Sequence, residues 1–175
     1  LADKRSLSFG HGPMNTNLAQ LARAYLVFAN EGSIPSLKLF KNDQATDNLQ
    51  QVFSPESTRR IAEILDSVAS DNGSGYRAVI DGYSVAGKTG TAEMVIDGKY
   101  NKDGAKRTYF VGFSPAKNPK YIMAVRLDYP KKCFVSWDPT MRNRCEGSNS
   151  ASMAFQKAMK RILINDPEIK SKFEG

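Results

Sequence analysis

What this sequence has little of narrows its class before any motif is read. Histidine and tryptophan occur once each, and cysteine twice, as Cys133 and Cys145. The cysteine pair shows no C-x-x-C spacing and has no histidine beside it, so no metal site is expected. No apolar run approaches the ~20 residues that a membrane-spanning helix needs. Residues 1–5 hold neither an apolar leader nor a Met, so the N-terminus reads as a cut end. Repeats and low-complexity tracts are missing, and glycine and proline sit at ordinary levels. With 41% hydrophobic residues in a 175-residue chain, global disorder is excluded. That length is one domain's worth, enough to bury roughly two-thirds of the unfolded surface.

Acidic residues are the scarcer charge, 18 against 25 lysines and arginines, for a net charge of +7. The densest basic stretch runs through Lys117, Lys120, Arg126, Lys131, Lys132, Arg142 and Arg144. It forms no basic helix with interleaved aromatics, so it reads as a solvated face, and nucleic acid is not an expected partner. The cysteines leave two readings open. They form a disulfide closing a loop with eleven residues between them, or they are two free thiols.

What is present is a patterned α+β chain. Thr16 precedes Leu18, Leu21, Ala22, Tyr25, Leu26, Phe28 and Ala29 at helical spacing, with a stop at Asn30-Glu31-Gly32. Residues 36–41 alternate as a short strand, and 42–51 form a polar loop. Ser54-Pro55-Glu56 opens a second helix whose expected apolar face is Ile61, Ile64, Leu65 and Val68. Residues 84–96 read as a strand leading to an Asp97-Gly98 hairpin turn. Residues 108–114 and 120–128 are two further strands. Ser148 or Ser150 then caps a long helix carrying Met153, Ala154, Ala158, Ile162 and Leu163. The order predicts an α+β fold, an antiparallel sheet covered by helices.

Three motif patterns compete around Lys88. Gly82-Tyr83-Ser84-Val85-Ala86-Gly87-Lys88-Thr89 fits the phosphate-loop pattern G-x-x-x-x-G-K-[ST]. Such a loop must open a helix to bring its amides to a phosphate. Here it runs into strand chemistry and a hairpin turn, so nucleotide binding is the weakest reading. Ser114-Pro115-Ala116-Lys117 and Ser70-Asp71-Asn72 match S-x-x-K and S-x-N on paper. The first lies in a proline-flanked turn after the K-T-G, and the second precedes it by too short a stretch. Both are read as coincidences.

The third pattern is Lys88-Thr89-Gly90 in its context. The run Gly73-Ser74-Gly75, Ala78 and Gly82-Tyr83-Ser84-Val85-Ala86-Gly87-Lys88-Thr89-Gly90-Thr91-Ala92 closely resembles the third-motif region of class B penicillin-binding proteins, the peptidoglycan D,D-transpeptidases. Ser8-Phe9-Gly10-His11-Gly12 with Thr16-Asn17-Leu18-Ala19-Gln20-Leu21-Ala22 is similar to an upstream segment of that domain. Tyr109-Phe110-Val111-Gly112-Phe113-Ser114-Pro115 is similar to the strand that follows the active-site strand. The resemblance spans residues 8–163 and is nearest to the division-type branch. Two features depart from the family: Gly147-Ser148-Asn149-Ser150-Ala151-Ser152-Met153 before the last helix, and the cysteine-bracketed loop.

The resemblance implies a partial penicillin-binding, serine β-lactamase-like fold, with residues 1–175 as the C-terminal part of one transpeptidase domain. It implies cell-wall cross-linking of the septal type by a serine lying upstream, with D-Ala-D-Ala stem peptides as substrate and β-lactams as ligands. Lys88 supplies a fixed cation, and the Thr91 amide an oxyanion donor. Thr89 and Thr91 offer hydroxyls to the substrate carboxylate, and Gly90 admits the substrate backbone. No cofactor is implied. Expected partners are the upstream half of the domain and cell-division proteins, at the periplasmic face of a bacterial inner membrane. That oxidising setting favours a Cys133–Cys145 disulfide. His11 and Trp137 are read as structural, and Glu93, which follows the motif, as a salt-bridged strand carboxylate rather than a residue bordering the cleft. A non-catalytic penicillin-recognising sensor is the alternative. This chain alone, lacking the nucleophile, is expected to be inactive.

Overall fold

The computed structural model describes residues 2–8, 10, 15–38, 40, 49–96, 98–100, 105–131, 133 and 145–170. A short helix α1 (Ala2–Ser8) precedes α2 (Leu18–Ala29). Asn17, with extended backbone, caps α2 by accepting from the Gln20 N–H at 2.8 Å. The cap is thus one residue later than Thr16, whose hydroxyl bonds the Asn17 carbonyl instead. After α2 the chain reverses through Glu31 (φ 48°) and Gly32 (φ 94°). A side chain at Gly32 would lie 2.1 Å from the Phe53 carbonyl oxygen.

The first strand is not where the alternation places it. Ser33–Ile34 (β1) pairs antiparallel with Gln50–Gln51 (β2), and residues 35–38 have no regular structure. Pro35 has no N–H to give a ladder, so pairing ends before it. Gln51, expected in a loop, instead joins the pair and accepts from the Ser33 hydroxyl at 2.7 Å.

Helix α3 (Pro55–Val68) starts as the sequence indicates, with Ser54 accepting from the Ser57 N–H at 3.2 Å. A 3-10 turn (Tyr76–Ala78) then leads to β3 (Ala86–Glu93). The expected single strand over 84–96 breaks at Met94. Beyond it, β4 (Val95–Ile96) and β5 (Lys99–Tyr100) form a separate antiparallel pair; of the expected Asp97-Gly98 turn, Gly98 has φ 75° and Asp97 lies outside the described residues. Strands β6 (Lys106–Ser114) and β7 (Tyr121–Asp128) complete a three-stranded antiparallel sheet in the order β3-β6-β7. Helices α4 (Ala151–Asn165) and α5 (Pro167–Lys170) close the described chain. The α+β class, an antiparallel sheet covered by helices, is as expected.

The sheet separates two clusters of core residues. On one face, Phe110 packs on Phe155 of α4, ring centroids 4.6 Å apart, with Ile80, Val85, Met159 and Leu163 around them. On the other, Ala86 and Phe113 meet Leu65 of α3, with Tyr25, Phe28 and Ile122 at the margin. The helix faces match the expected ones at Leu65 and Leu163, which are buried, and differ elsewhere. In α4 the buried row is Ala151, Phe155, Met159 and Leu163, a strict i, i+4 line, while Ile162 and Ala158 face outward. Rotating the helix to bury Phe155 takes those two off the sheet. In α3 the buried residues are Thr58 and Leu65, with Ile61 and Ile64 left 41% and 57% exposed.

At the far end of α4, Asp166 gathers several donors. Tyr121 donates to it at 2.6 Å, Lys120 pairs with it at 3.1 Å, and the Glu168 N–H bonds it at 2.9 Å. These bonds, the Tyr121 hydroxyl foremost, hold its carboxyl down to about 2. Lys120 also pairs with Glu168. Asp128 of β7 is clamped by Arg126 beside it at 2.5 Å and by Arg107 of β6 at 3.0 Å, which hold it to about 2 as well. Part of the basic stretch is thus internally paired. Lys132, Arg142 and Arg144 lie outside the described residues.

Candidate active site

Strand β3 is an edge strand, its outer side unpaired among the described residues. It carries the Lys88-Thr89-Gly90-Thr91 sequence through its middle. The register opposes Lys88 to Val111, Thr89 to Phe110, Gly90 to Tyr109 and Thr91 to Thr108. Because side chains alternate along a strand, Thr89 and Thr91 share the α4 face of the sheet with Phe110. Lys88 and Gly90 belong to the face covered by α2 and α3.

The ammonium of Lys88 nevertheless meets Thr89. Its Nζ donates to the Thr89 carbonyl at 3.1 Å and lies 3.5 Å from the Thr89 hydroxyl. Lys88 is exposed, and none of the ion pairs among the described residues involves it. A cation without a carboxylate partner among the described residues, beside the Thr89 hydroxyl on an open strand edge, forms a surface suited to a carboxylate ligand.

Two loops hold the hydroxyls from the side. Residues 69–75 fold back on the end of α3, the Gly75 N–H bonding the Val68 carbonyl at 2.8 Å. This places the Ser74 hydroxyl 3.3 Å from that of Thr89. From the other direction, the Gly147 N–H donates to the Thr91 hydroxyl at 3.0 Å.

The two glycines of β3 differ in what they serve. A side chain at Gly87 would lie 2.7 Å from the Phe110 ring and the Val111 carbonyl oxygen, so packing demands glycine. At Gly90 the nearest atom would be Tyr109 Cβ at 3.4 Å, an ordinary contact. The packing of the described residues therefore gives no reason for glycine at position 90.

The competing patterns fail on geometry. The phosphate-loop match, residues 82–89, runs into β3 and opens no helix. Ser114 is buried at the end of β6, donating to the Ser84 carbonyl at 2.8 Å. It is not at a helix N-terminus, so no S-x-x-K pair exists there. Ser70-Asp71-Asn72 sits in the turn after α3, where the Ser70 hydroxyl is taken by the Ser67 carbonyl at 2.7 Å. That turn borders an open groove of about 410 Å³ between α3 and Tyr83-Ser84, which does not include Lys88. Glu93 ends β3, exposed, and the ion pairs among the described residues do not include the expected one at Glu93. His11 and Trp137 lie outside the described residues. The buried sulfur atoms of Cys133 and Cys145 are bonded at 2.15 Å, with Cα atoms 5.2 Å apart.

Sequence reasoning missed Gly147 as a neighbour of the motif. Its only local signal is its place two residues after Cys145, in the stretch that departs from the family pattern.

Comparison with known proteins places this geometry. Residues 2–159 match the family described as the penicillin binding protein transpeptidase domain. A probable peptidoglycan D,D-transpeptidase PbpC of Pseudomonas aeruginosa is 39% identical over 127 residues, 73% of this chain and 22% of that protein. The peptidoglycan D,D-transpeptidase FtsI of Buchnera aphidicola is 37% identical over 166 residues, 92% of this chain and 27% of that protein. Among solved structures, the transpeptidase domain of penicillin-binding protein 3 from Burkholderia pseudomallei aligns with a TM-score of 0.69 at 33% identity. The alignment covers 87% of this chain and 44% of that one. The chain thus spans roughly a quarter of the length of these curated relatives.

Proposed function

This chain belongs to the penicillin-binding protein transpeptidase family, and from that premise we propose that it carries the K-T-G side of the active site of a serine D,D-transpeptidase that cross-links septal peptidoglycan. The observation that carries the reading is Lys88-Thr89-Gly90-Thr91 lying along a strand edge unpaired among the described residues, with the Lys88 ammonium beside the Thr89 hydroxyl. The similarity of the chain to FtsI-type D,D-transpeptidases supports the same reaction.

In this reading a segment preceding the chain provides the nucleophilic serine, its lysine partner and the S-x-N residue, and residues 1–175 complete the domain. The serine oxygen attacks the carbonyl of the penultimate D-Ala of a stem peptide. The C–N bond to the terminal D-Ala breaks, and that amine leaves with a proton. An amine of a neighbouring stem peptide then takes the acyl group, restoring the serine. Thr89 and Thr91 receive the terminal carboxylate, with Lys88 neutralising it. The backbone at Thr91 stabilises the developing oxyanion, and Gly90 lets the extended peptide lie against the strand. β-Lactams carry a carboxylate at a matching position and acylate the same serine. The reaction places the site on the periplasmic face of the membrane, where division proteins are its partners. Among the described residues no helix is long and apolar enough to cross a membrane.

Labelling with a fluorescent penicillin tests the proposal. The full-length protein should take covalent label, and the 175-residue chain alone should not. Lys88→Ala in the full-length protein should slow acylation by about 100-fold or more, on the order of 3 kcal/mol of transition-state stabilisation. Unchanged acylation removes Lys88 from the site. Absence of D-Ala release from a stem-peptide substrate by a protein that does label would make it a sensor.

A further inference from the structure

The segment between Cys145 and the start of α4 is fastened to the K-T-G strand more closely than a connecting loop requires. Cys145 is tied to Cys133 by the disulfide. Glu146 pairs with Lys106 on β6 at 3.6 Å. The Ser150 hydroxyl bonds that of Thr108 at 2.9 Å, and Thr108 is the β6 residue directly opposite Thr91. The Gly147 carbonyl accepts from the Ser152 N–H at 2.9 Å, anchoring it to the first turn of α4.

Between these fastenings Gly147 lies directly on β3. A side chain there would meet the Gly90 carbonyl oxygen at 2.6 Å, the Tyr109 carbonyl oxygen at 2.8 Å and the Gly90 nitrogen at 2.9 Å. All three are backbone atoms, which cannot swing aside as a side chain can. Any residue larger than glycine must therefore lift the segment off the strand. With glycine, its N–H reaches the Thr91 hydroxyl oxygen at 3.0 Å.

We propose that Gly147 is a positioning residue that sets the direction of the Thr91 hydroxyl, and that the disulfide-anchored segment is the clamp that keeps it in place. A threonine hydroxyl has one proton and two lone pairs. Once a lone pair accepts from Gly147, the hydroxyl proton is turned away from that amide, and Thr91 becomes a pre-aimed donor to an anion at the exposed strand edge. Without the clamp the hydroxyl is a free rotor that must be ordered at binding. The proposal rests on the reading above that Thr91 receives the carboxylate of the substrate or β-lactam.

The test compares acylation of the full-length protein by a penicillin and by its methyl ester, in which the carboxylate charge is masked. Gly147→Ala should cut the preference for the free acid by about tenfold or more, the weight of one hydrogen bond to a charged group, while the ester rate moves little. Thr91→Val should do the same, and the double variant should lose no more than either single one. A folded Gly147→Ala protein that keeps the wild-type preference, or losses that add in the double variant, would overturn the inference. Should Gly147→Ala not fold, the same comparison is made on wild-type protein with the Cys133–Cys145 bond reduced and the thiols titrated. The preference should again fall, and its full retention overturns the proposal. Wild-type protein that takes no label removes the acyl-transfer reading and this inference with it. Wild-type protein that labels with normal preference, beside an indifferent Gly147→Ala, removes this inference alone.

Discussion

The two faces of the β3-β6-β7 sheet are finished to different degrees. On the α4 side, Phe110, Phe155, Met159 and Leu163 are fully buried, and the residues above β3 are fastened by a disulfide, an ion pair and hydroxyl bonds. On the α2 and α3 side, Ile61 and Ile64 stand in solvent, and Lys88 has no carboxylate beside it among the described residues. The same sheet thus carries a larger buried core on the α4 face and a smaller one, of Leu65, Ala86 and Phe113, on the other. Stability is concentrated on one face, and the proposed chemistry at the edge where the faces meet.

This contrast is sharpest under large-to-small substitution. Phe155→Ala should destabilise the protein by about 3–5 kcal/mol, because a fully buried ring leaves a cavity. Ile64→Ala in the 175-residue chain should stay within about 1 kcal/mol. Denaturant unfolding of both decides it, and equal losses would mean that the open face is as tightly packed as the closed one.

Cutting the Cys133–Cys145 bond should cost roughly 3 kcal/mol, since its loop closes a 12-residue separation in the unfolded chain. The measurement is unfolding with and without reductant, beside an intact mass of protein from an oxidising compartment. A mass showing two free thiols would remove the bond from the clamp.

The two β3 glycines should separate stability from function. Gly87→Ala drives a methyl group into Phe110 and the Val111 carbonyl and should destabilise by about 1–3 kcal/mol. Gly90→Ala meets only an ordinary contact, so the melting temperature should barely move while acylation of the full-length protein slows. A Gly90→Ala protein that acylates normally would take that glycine out of the substrate path.

Acid titration should be felt on both sides of the sheet, at Asp166 beside α4 and at Asp128 on the opposite face, which is held equally low. Asp166 titrates at about 2 in the folded protein against an ordinary 3.8, so protons bind the unfolded chain more readily. Its contribution is fully present above the unfolded value and fades as pH falls through about 2. Asp166→Asn should flatten the stability profile over that interval, and an unchanged profile would place the acid sensitivity elsewhere.

Much of this was legible in the residues. Ser54-Pro55-Glu56 announces α3, because a cap, a fixed φ and an early acid all act within one turn. The Asp97-Gly98 turn announces the β4-β5 hairpin for an equally local reason. The K-T-G run in its glycine-rich context pointed to the family without any coordinates. Less legible was which side of a helix turns inward. Ile61, Ile64, Ala158 and Ile162 have the right hydrophobicity, yet Thr58, Phe155 and Met159 take the buried places. Periodicity names an apolar stripe some three residues wide, and the sheet beneath selects its centre line.

What the sequence determined by itself was therefore local or motif-borne: helix starts, turn positions, the α+β order and the motif at Lys88, Thr89, Gly90 and Thr91 on which the proposed chemistry rests. Only the tertiary structure decided that the strand carrying them lies at an edge, that Gly87 is fixed by packing while Gly90 is not, and that Gly147 comes to rest on Thr91. The physical reason is range. Capping and turn preferences act over a few bonds, whereas a contact between residues separated by 56 positions exists only once three strands and a helix have fixed the distance between them.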